Sequence, residues 1–395
     1  MLSQRAIAPE FFVIAAGIGA ALHIGKLPPA LPVLAQTLGL DLLASSFLLS
    51  MIMLAGLTLG LIMGATADTL GPRRALLSGL FILSLSSLLG GFAQSPTQLL
   101  TARAAEGLGF LLIVLPAPGL IRQLVSTQLL SRRLGWWTTY MGIGIGSTLL
   151  LGPPWISAFG WRSWWWLMAA ISGGLFGLAL WRIPQLDTRQ PRSQDWLSRI
   201  QTTLTNPGPW LVAITFSLYA AQWMAIIGFL PTLYTQAGYF SWQLGGLTAG
   251  VALINIAGNI LAGQLIHRGI SPFAVIASGF CIMLITAWIA FALLTPGLGQ
   301  MLLILTFSGL GGLIPGSLFF VAVQFAPAPN TMSSTVGWIQ QWTSIGQFSG
   351  PPLLALAVSW QGSWSISWVV TGSLAILGLF MTLLMQRHHQ SLQNQ

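Results

Sequence analysis

Twelve long apolar runs alternate with short polar or charged interruptions along the 395 residues. Each run approaches the ~20 residues an α-helix needs to cross the hydrocarbon core of a bilayer. They lie near 11–34, 43–66, 75–93, 98–121, 134–158 and 164–183, then near 209–235, 243–266, 272–294, 299–325, 332–358 and 363–385. Only helices and closed barrels satisfy every backbone N–H and C=O in lipid, so runs of this length predict an all-α membrane protein with twelve transmembrane helices.

The punctuation repeats. Leu27-Pro28 in span 1 answers to Leu230-Pro231 in span 7, Gly107-Leu108-Gly109 in span 4 to Gly309-Leu310-Gly311 in span 10, and Gly152-Pro153-Pro154 in span 5 to Gly350-Pro351-Pro352 in span 11. Three matches in order, all at offsets near 200 residues, predict two pseudo-symmetric six-helix halves around a central path. The expected division is residues 1–183, a central cytoplasmic linker at 184–208, and residues 209–395. In the linker, Trp196, Leu197, Ile200 and Leu204 follow helical spacing opposite Gln194, Asp195 and Arg199. That pattern predicts a short helix on the membrane surface, with a plain flexible linker as the alternative.

Composition removes other classes. The chain is 54% hydrophobic and 5% charged, against roughly a quarter charged in soluble domains, so lipid is its first partner. Its 15 Lys and Arg against 6 Asp and Glu do not form one basic face for nucleic acid. They sit between the apolar runs. With a cytoplasmic N-terminus, Arg5, Arg73, Arg74, Arg122, Arg132, Arg133, Arg182, Arg189, Arg192, Arg199, Arg268 and Arg387 all fall inside and only Arg162 outside. This asymmetry predicts that both termini are cytoplasmic. The single Cys281 excludes an internal disulfide, and the first apolar run is too long for a cleaved signal peptide.

The loop after span 2 reads Gly64-Ala65-Thr66-Ala67-Asp68-Thr69-Leu70-Gly71-Pro72-Arg73-Arg74. Here the chain resembles the major facilitator superfamily, whose loop signature has a Gly, an Asp four residues on, a second Gly three later and a basic pair. Thr69 stands where a basic residue is usual. The resemblance implies the major facilitator fold and a gating role for Gly64, Asp68, Gly71, Arg73 and Arg74, with a turn carrying topology charges as the simpler reading. Span 4, with Leu99, Arg103, Glu106, Gly107 and Gly109, is similar to a second family signature, which implies proton coupling through Arg103. The stretch around Leu27-Pro28, residues 103–110 and Gly160-Trp161-Arg162 look most like the bacterial cyanate and nitroimidazole transporter group, which implies a small anion or polar heteroaromatic cargo.

Ionisable residues inside spans cost about 2.5–3.5 kcal/mol each on insertion scales and are retained where they work. His23 and Lys26 share one face of span 1, and Arg103 and Glu106 stand three apart in span 4. Glu106, Arg103 and His23 are therefore the candidate proton-coupling groups, and His23, Lys26 and Arg103 candidate substrate ligands. Mutual neutralisation of Arg103 and Glu106, snorkelling of Lys26 and a merely hydrogen-bonded His23 are the structural alternatives. Two cations against one carboxylate leave a positive lining suited to an anion; if Lys26 pairs with Glu106, the reading turns to a neutral or aromatic solute. The second half has no intramembrane charge, and Tyr219, Gln222, Trp223, Asn255, Gln340 and Gln341 are its candidate binding groups, with interhelical glue as the alternative. Asn259, Gln264 and Gln347 extend this amide set, Tyr234 suits an interfacial anchor, and His388 and His389 read as solvated.

No phosphate-binding loop and no metal-ligand spacing is present, so neither an enzyme nor a cofactor is expected. The reading that results is a secondary active transporter of the bacterial inner membrane, monomeric, moving a small-molecule substrate by alternating access coupled to protons or another ion. A drug exporter of the same superfamily is the nearest alternative, and a non-transporting membrane sensor or scaffold the alternative of another class.

Overall fold

A computed structural model describes residues 8–66, 71–185, 196–328 and 331–393. Ten helical runs among them are long and apolar enough to cross a membrane. The longest holds two spans, because Gly160, at φ 78°, breaks the helix Tyr140–Arg182 where a residue with a Cβ would be strained. Met332–Gln361 has the length of a span, 30 residues, but a more polar sequence rich in Ser, Thr and Gln. Twelve spans result, close to the expected runs except that span 12 continues eight residues further. They are span 1 (Pro9–Leu38), span 2 (Leu42–Gly64), span 3 (Pro72–Gly91), span 4 (Pro96–Leu124), spans 5 and 6 on either side of Gly160, span 7 (Pro207–Gln236), span 8 (Trp242–His267), span 9 (Pro272–Leu293), span 10 (Leu298–Gln324), span 11 (Met332–Gln361) and span 12 (Trp364–Gln393).

Proline sets many of the boundaries. Pro9, Pro72, Pro96, Pro207 and Pro272 open spans at the first turn, where a missing N–H costs nothing. Inside spans it does the opposite. Span 1 divides at Lys26, just before Pro28 and Pro29, and span 4 divides at Leu115 and Pro116. Span 2 tightens into a 3₁₀ turn at Met51–Met53.

The sequence repeat reappears as packing. Span 1 lies on span 5 with Gly152 against Pro29, and span 7 lies on span 11 with Gly350 against the Ala221 backbone. Gly107 of span 4 faces the Ile52 carbonyl of span 2, and its counterpart Gly309 of span 10 faces the Ile254 side chain of span 8. Between the two sets of six, span 2 packs along span 11, span 5 along span 8, and the second part of span 1 against span 7. The 2–11 contact is a close one. A Cβ at Gly64 would lie 2.6 Å from the Gly337 Cα, and the Gln341 side chain accepts a hydrogen bond from the Leu61 N–H at 2.9 Å.

The linker forms a helix, Trp196–Thr205, as its spacing predicts, although 186–195, with Asp195 and Gln194, lie outside the described residues. The helix is a packed element. The buried Thr203 hydroxyl meets Ser334 of span 11 at 2.7 Å, and the Trp210 indole of span 7 donates to the Leu204 carbonyl at 2.9 Å. Two further expectations need correction. Tyr234 is no interfacial anchor: it is fully buried and packs on Tyr239 at 5.3 Å. His388 and His389 are not freely solvated, because span 12 runs on to Gln393 and lays both rings against Phe325, and His389 also against Phe273.

Candidate coupling and substrate site

Four ionisable side chains from spans 1 and 4 converge in the interior of the first six spans, each with no solvent exposure: His23, Lys26, Arg103 and Glu106. The Glu106 carboxylate is their hub. One oxygen receives the Lys26 ammonium and lies 3.4 Å from His23 Nδ1; the other receives Arg103 Nη1 at 2.8 Å. Burial of a charge is tolerable only when it is paired and its remaining hydrogen-bonding capacity is met, and spans 3 and 6 supply that second layer. Lys26 also donates to Ser87 of span 3 at 2.7 Å and sits 4.7 Å from the Trp165 ring. His23 Nε2 meets the Ser172 hydroxyl of span 6 at 2.7 Å, and the Trp164 indole donates to the Lys26 carbonyl at 3.1 Å.

Arg103 ties this cluster to the helix breaks. It donates to the His23 carbonyl, four residues before span 1 restarts at Leu27, and to the Leu48 carbonyl at 3.3 Å, just ahead of the 3₁₀ turn in span 2. Where the α-helical ladder is interrupted, carbonyls are left to other donors, and a guanidinium carries enough N–H groups to serve two and still hold a carboxylate. Its Nη2 has no hydrogen-bond partner.

The expected positive lining keeps its charge count in this geometry but is not an exposed lining. Lys26 neither snorkels nor stands free; it shares Glu106 with Arg103. Two cations on one carboxylate still sum to one net positive charge with His23 neutral, but that charge is enclosed by spans 1, 3, 4 and 6.

The second set of spans carries an uncharged counterpart. The half-buried Asn255 of span 8 donates to the Tyr219 hydroxyl of span 7 at 2.9 Å and to the Ser308 carbonyl of span 10 at 2.7 Å. The Trp223 indole donates to the Ser308 hydroxyl at 2.9 Å, and that hydroxyl donates on to the Val251 carbonyl at 2.6 Å. Tyr219, Trp223 and Asn255 are thus brought together. Gln222 is fully buried, donates to the Leu218 carbonyl on its own helix, and leaves its Oε1 without a partner. Gln340 is half-buried, and Gln341 belongs to the 2–11 contact. No hydrogen bond or ion pair among the described residues joins the charged cluster to the uncharged network.

Of the loop signature, Asp68 lies outside the described residues. Gly64 abuts span 11, and Gly71 takes φ 73° at the start of span 3, where glycine is the residue least penalised. Arg74 is exposed. Arg73 donates to the Ile183 and Leu180 carbonyls at 2.8 and 2.9 Å, so it caps the end of span 6. Arg73→Gln is expected to lower stability by about 1 kcal/mol, the size of one charge-assisted cap. A melting curve in detergent measures it, and an unchanged midpoint would remove the capping role.

Residues that the sequence did not single out complete both clusters: Ser87, Ser172, Trp164 and Trp165 around the charges, and Ser308 in the network. A serine inside an apolar run was the only available signal, and such serines are numerous here. Ser308→Ala is expected to cost about 1–2 kcal/mol, because it strands the Trp223 indole N–H. Thermal unfolding of the variant beside Asn255→Leu would show whether the two losses are coupled, as one network requires.

A twelve-span bundle with close 2–11 and 5–8 contacts and buried charges at mid-helix breaks defines a membrane transport protein. The chain belongs to the Major Facilitator Superfamily, whose sequence profile matches residues 11–351. Among characterised relatives it is similar to the 2-nitroimidazole transporter of Escherichia coli, 27% identical over 332 residues that cover 80% of this chain and 79% of the relative. It is also similar to the gentisate transporter of Corynebacterium glutamicum, 25% identical over 342 residues covering 82% of this chain and 74% of the relative. Among solved structures, a bacterial homolog of the human lysosomal transporter Spinster, in an inward-facing and unoccupied conformation, superposes with a TM-score of 0.77. At 14% identity, with 96% of this chain and 97% of the other covered, that likeness shows the fold.

Proposed function

We propose that this protein is a proton-coupled secondary transporter of the bacterial inner membrane, with both termini cytoplasmic, which moves a small polar heteroaromatic solute by alternating access. The observation that carries the coupling is the sealed His23–Lys26–Arg103–Glu106 cluster. Four ionisable groups in spans 1 and 4 are costly to place in a bilayer; Lys26 sits at the break in span 1, and Arg103 holds carbonyls beside that break and beside the 3₁₀ turn of span 2, points that a rocking motion would use. Protonation of Glu106 would remove the shared anion, freeing Lys26 and loosening the hold of Arg103 on the His23 and Leu48 carbonyls. The cluster then acts through helix geometry, without touching the cargo.

The cargo reading rests on the uncharged network. Tyr219 and Trp223 offer ring faces, and Asn255 an amide able to exchange its internal partners for ring nitrogens or nitro oxygens. Pairing of Lys26 with Glu106 weakens the case for an anion, and the similarity to a 2-nitroimidazole transporter over most of both chains supports a heteroaromatic. The loop Asp68 is proposed as a gating group.

The test is flux in proteoliposomes. A nitroimidazole and a small inorganic anion are supplied in turn, with and without an imposed pH gradient. Gradient-dependent movement of the nitroimidazole is expected. Movement of the inorganic anion alone would reverse the cargo assignment, and flux indifferent to the gradient would remove the proton.

A further inference from the structure

Away from the central region, an open groove of about 370 Å³ runs between spans 9 and 12. Its walls are apolar, with Phe273 and Ala277 on one side and Leu379 and Leu383 on the other, and Ser271 and Gln386 make its polar end. That end is where span 9 begins and span 12 nears its close, so it lies at the edge of the apolar layer. It is also basic. The exposed Arg387 follows Gln386 directly, and the exposed Arg268 precedes Ser271 by three residues. Span 12 carries His388 and His389 on beyond the groove, with the His389 ring 5.4 Å from Phe273.

Among the described residues, nothing pairs with this positive charge: no ion pair reaches Arg268 or Arg387. The sequence contains no Asp or Glu after Asp195, so no acidic side chain of the second half can neutralise them. The first-turn N–H groups of span 9 add a further partial positive charge at the same end, since Ser271 does not cap them with its side chain.

A largely apolar groove whose polar end lies next in sequence to two exposed arginines, neither in an ion pair among the described residues, has the two chemistries of one amphiphile. We propose that this groove seats an anionic phospholipid, with an acyl chain along Phe273, Ala277, Leu379 and Leu383 and the phosphate between Arg268 and Arg387. Basic pockets between transmembrane helices recognise anionic headgroups through this combination, and arginine pairs with phosphate through two parallel N–H donors. Helices 9 and 12 pack on each other, so a lipid seated between them would brace the outer wall of the second set of spans without touching the coupling cluster. The site is independent of the identity of the cargo.

The experiment uses the full-length protein purified in a mild detergent, with dioleoyl phosphatidylglycerol and dioleoyl phosphatidylcholine added in turn and retained lipid counted by native mass spectrometry. Phosphatidylglycerol is expected to be retained preferentially. The preference should fall roughly tenfold or more in the Arg268→Gln/Arg387→Gln double variant, as removal of two juxtamembrane charges implies. Both arginines are exposed, so the double variant keeps its fold, which its melting midpoint in phosphatidylcholine will check. Ala277→Phe, which fills the groove from its wall, should reduce retention of both lipids. Equal retention of the two lipids by the wild type, or an undiminished preference in the double variant, would overturn the proposal. So would inorganic phosphate raising the melting midpoint as much as phosphatidylglycerol does, since the acyl chain would then contribute nothing.

Discussion

Glu106→Gln is expected to destabilise the protein by about 3–5 kcal/mol, the cost of removing the counter-ion from buried charges. The carboxylate serves two cations at once, Lys26 on one oxygen and Arg103 on the other, and all three side chains are fully enclosed. A glutamine keeps the shape and can still accept hydrogen bonds. It leaves two positive charges facing each other in a medium that screens them poorly. Lys26→Met should be much milder, because the Arg103–Glu106 pair it leaves behind is neutral. Lys26→Met/Glu106→Gln, with one unpaired cation, should fall between. Melting midpoints of the three variants in one detergent give the ranking, and Glu106→Gln matching the wild type would mean that the cluster is not the internal ion pair described above. In whatever fraction of Glu106→Gln folds, flux that still followed the pH gradient would dismiss Glu106 as the coupling group.

Gly64→Val should pry apart one end of the contact between spans 2 and 11. The position tolerates no side chain: even a Cβ would lie 2.6 Å from the Gly337 Cα and 3.0 Å from the Ser333 carbonyl oxygen. Both obstacles are backbone, so no rotamer change relieves the clash and a helix has to move. Because span 2 and span 11 belong to different sets of six, that movement is a separation of the two sets at this end, which biases the equilibrium among conformations. Spin labels at Met63 and Val336, on a Cys281→Ser background, would report it as a shift to longer distances. Gly71→Ala is the control: it strains a φ of 73° but has only an arginine side-chain carbon within reach at 4.0 Å, so it should leave the distance distribution unchanged. An identical distribution for Gly64→Val and wild type would show that this glycine does not control the closure.

The two predictions differ in how far the sequence anticipated them. That Glu106, Arg103, Lys26 and His23 were special was legible, because an ionisable residue in a long apolar run is costly whatever surrounds it. That they are one object was not. The i, i+3 spacings brought His23 to Lys26 and Arg103 to Glu106, but the link between the pairs spans 80 residues and depends on span 1 lying beside span 4. Counting charges without that link placed one net positive charge on an open lining, and the Lys26–Glu106 contact moved it into a closed cluster. Ser87 and Ser172 were beyond reach for the same reason, since an ordinary serine becomes a ligand only when another helix presents a charge to it.

Tyr234, His388 and His389 went astray differently. Each was read from its place near a predicted span end, where interfacial aromatics and solvated histidines are the usual occupants. Other parts of the chain cover them instead: Tyr239, in the connection after span 7, lies against Tyr234, and Phe325 and Phe273 at neighbouring helix ends lie against the histidines. Glycine spacing was the more trustworthy guide. The matched glycines of spans 4 and 10, and those that precede Pro-Pro in spans 5 and 11, all meet a neighbouring helix at close range, because a missing side chain leaves a local space that packing fills.

By itself, the sequence determined that the chain crosses a membrane, how often, that its architecture is duplicated, and which few residues bear an unusual solvation cost. These follow from run length, punctuation and charge, properties each segment carries without reference to any other. The tertiary structure alone decided that Lys26 and Arg103 share one carboxylate, that Arg73 caps span 6, that Gln341 braces span 2, and that spans 9 and 12 leave a basic-ended groove. Those depend on which helices become neighbours. In a bundle of uniformly apolar helices, that choice is made by the summed fit of many weak contacts rather than by any local pattern.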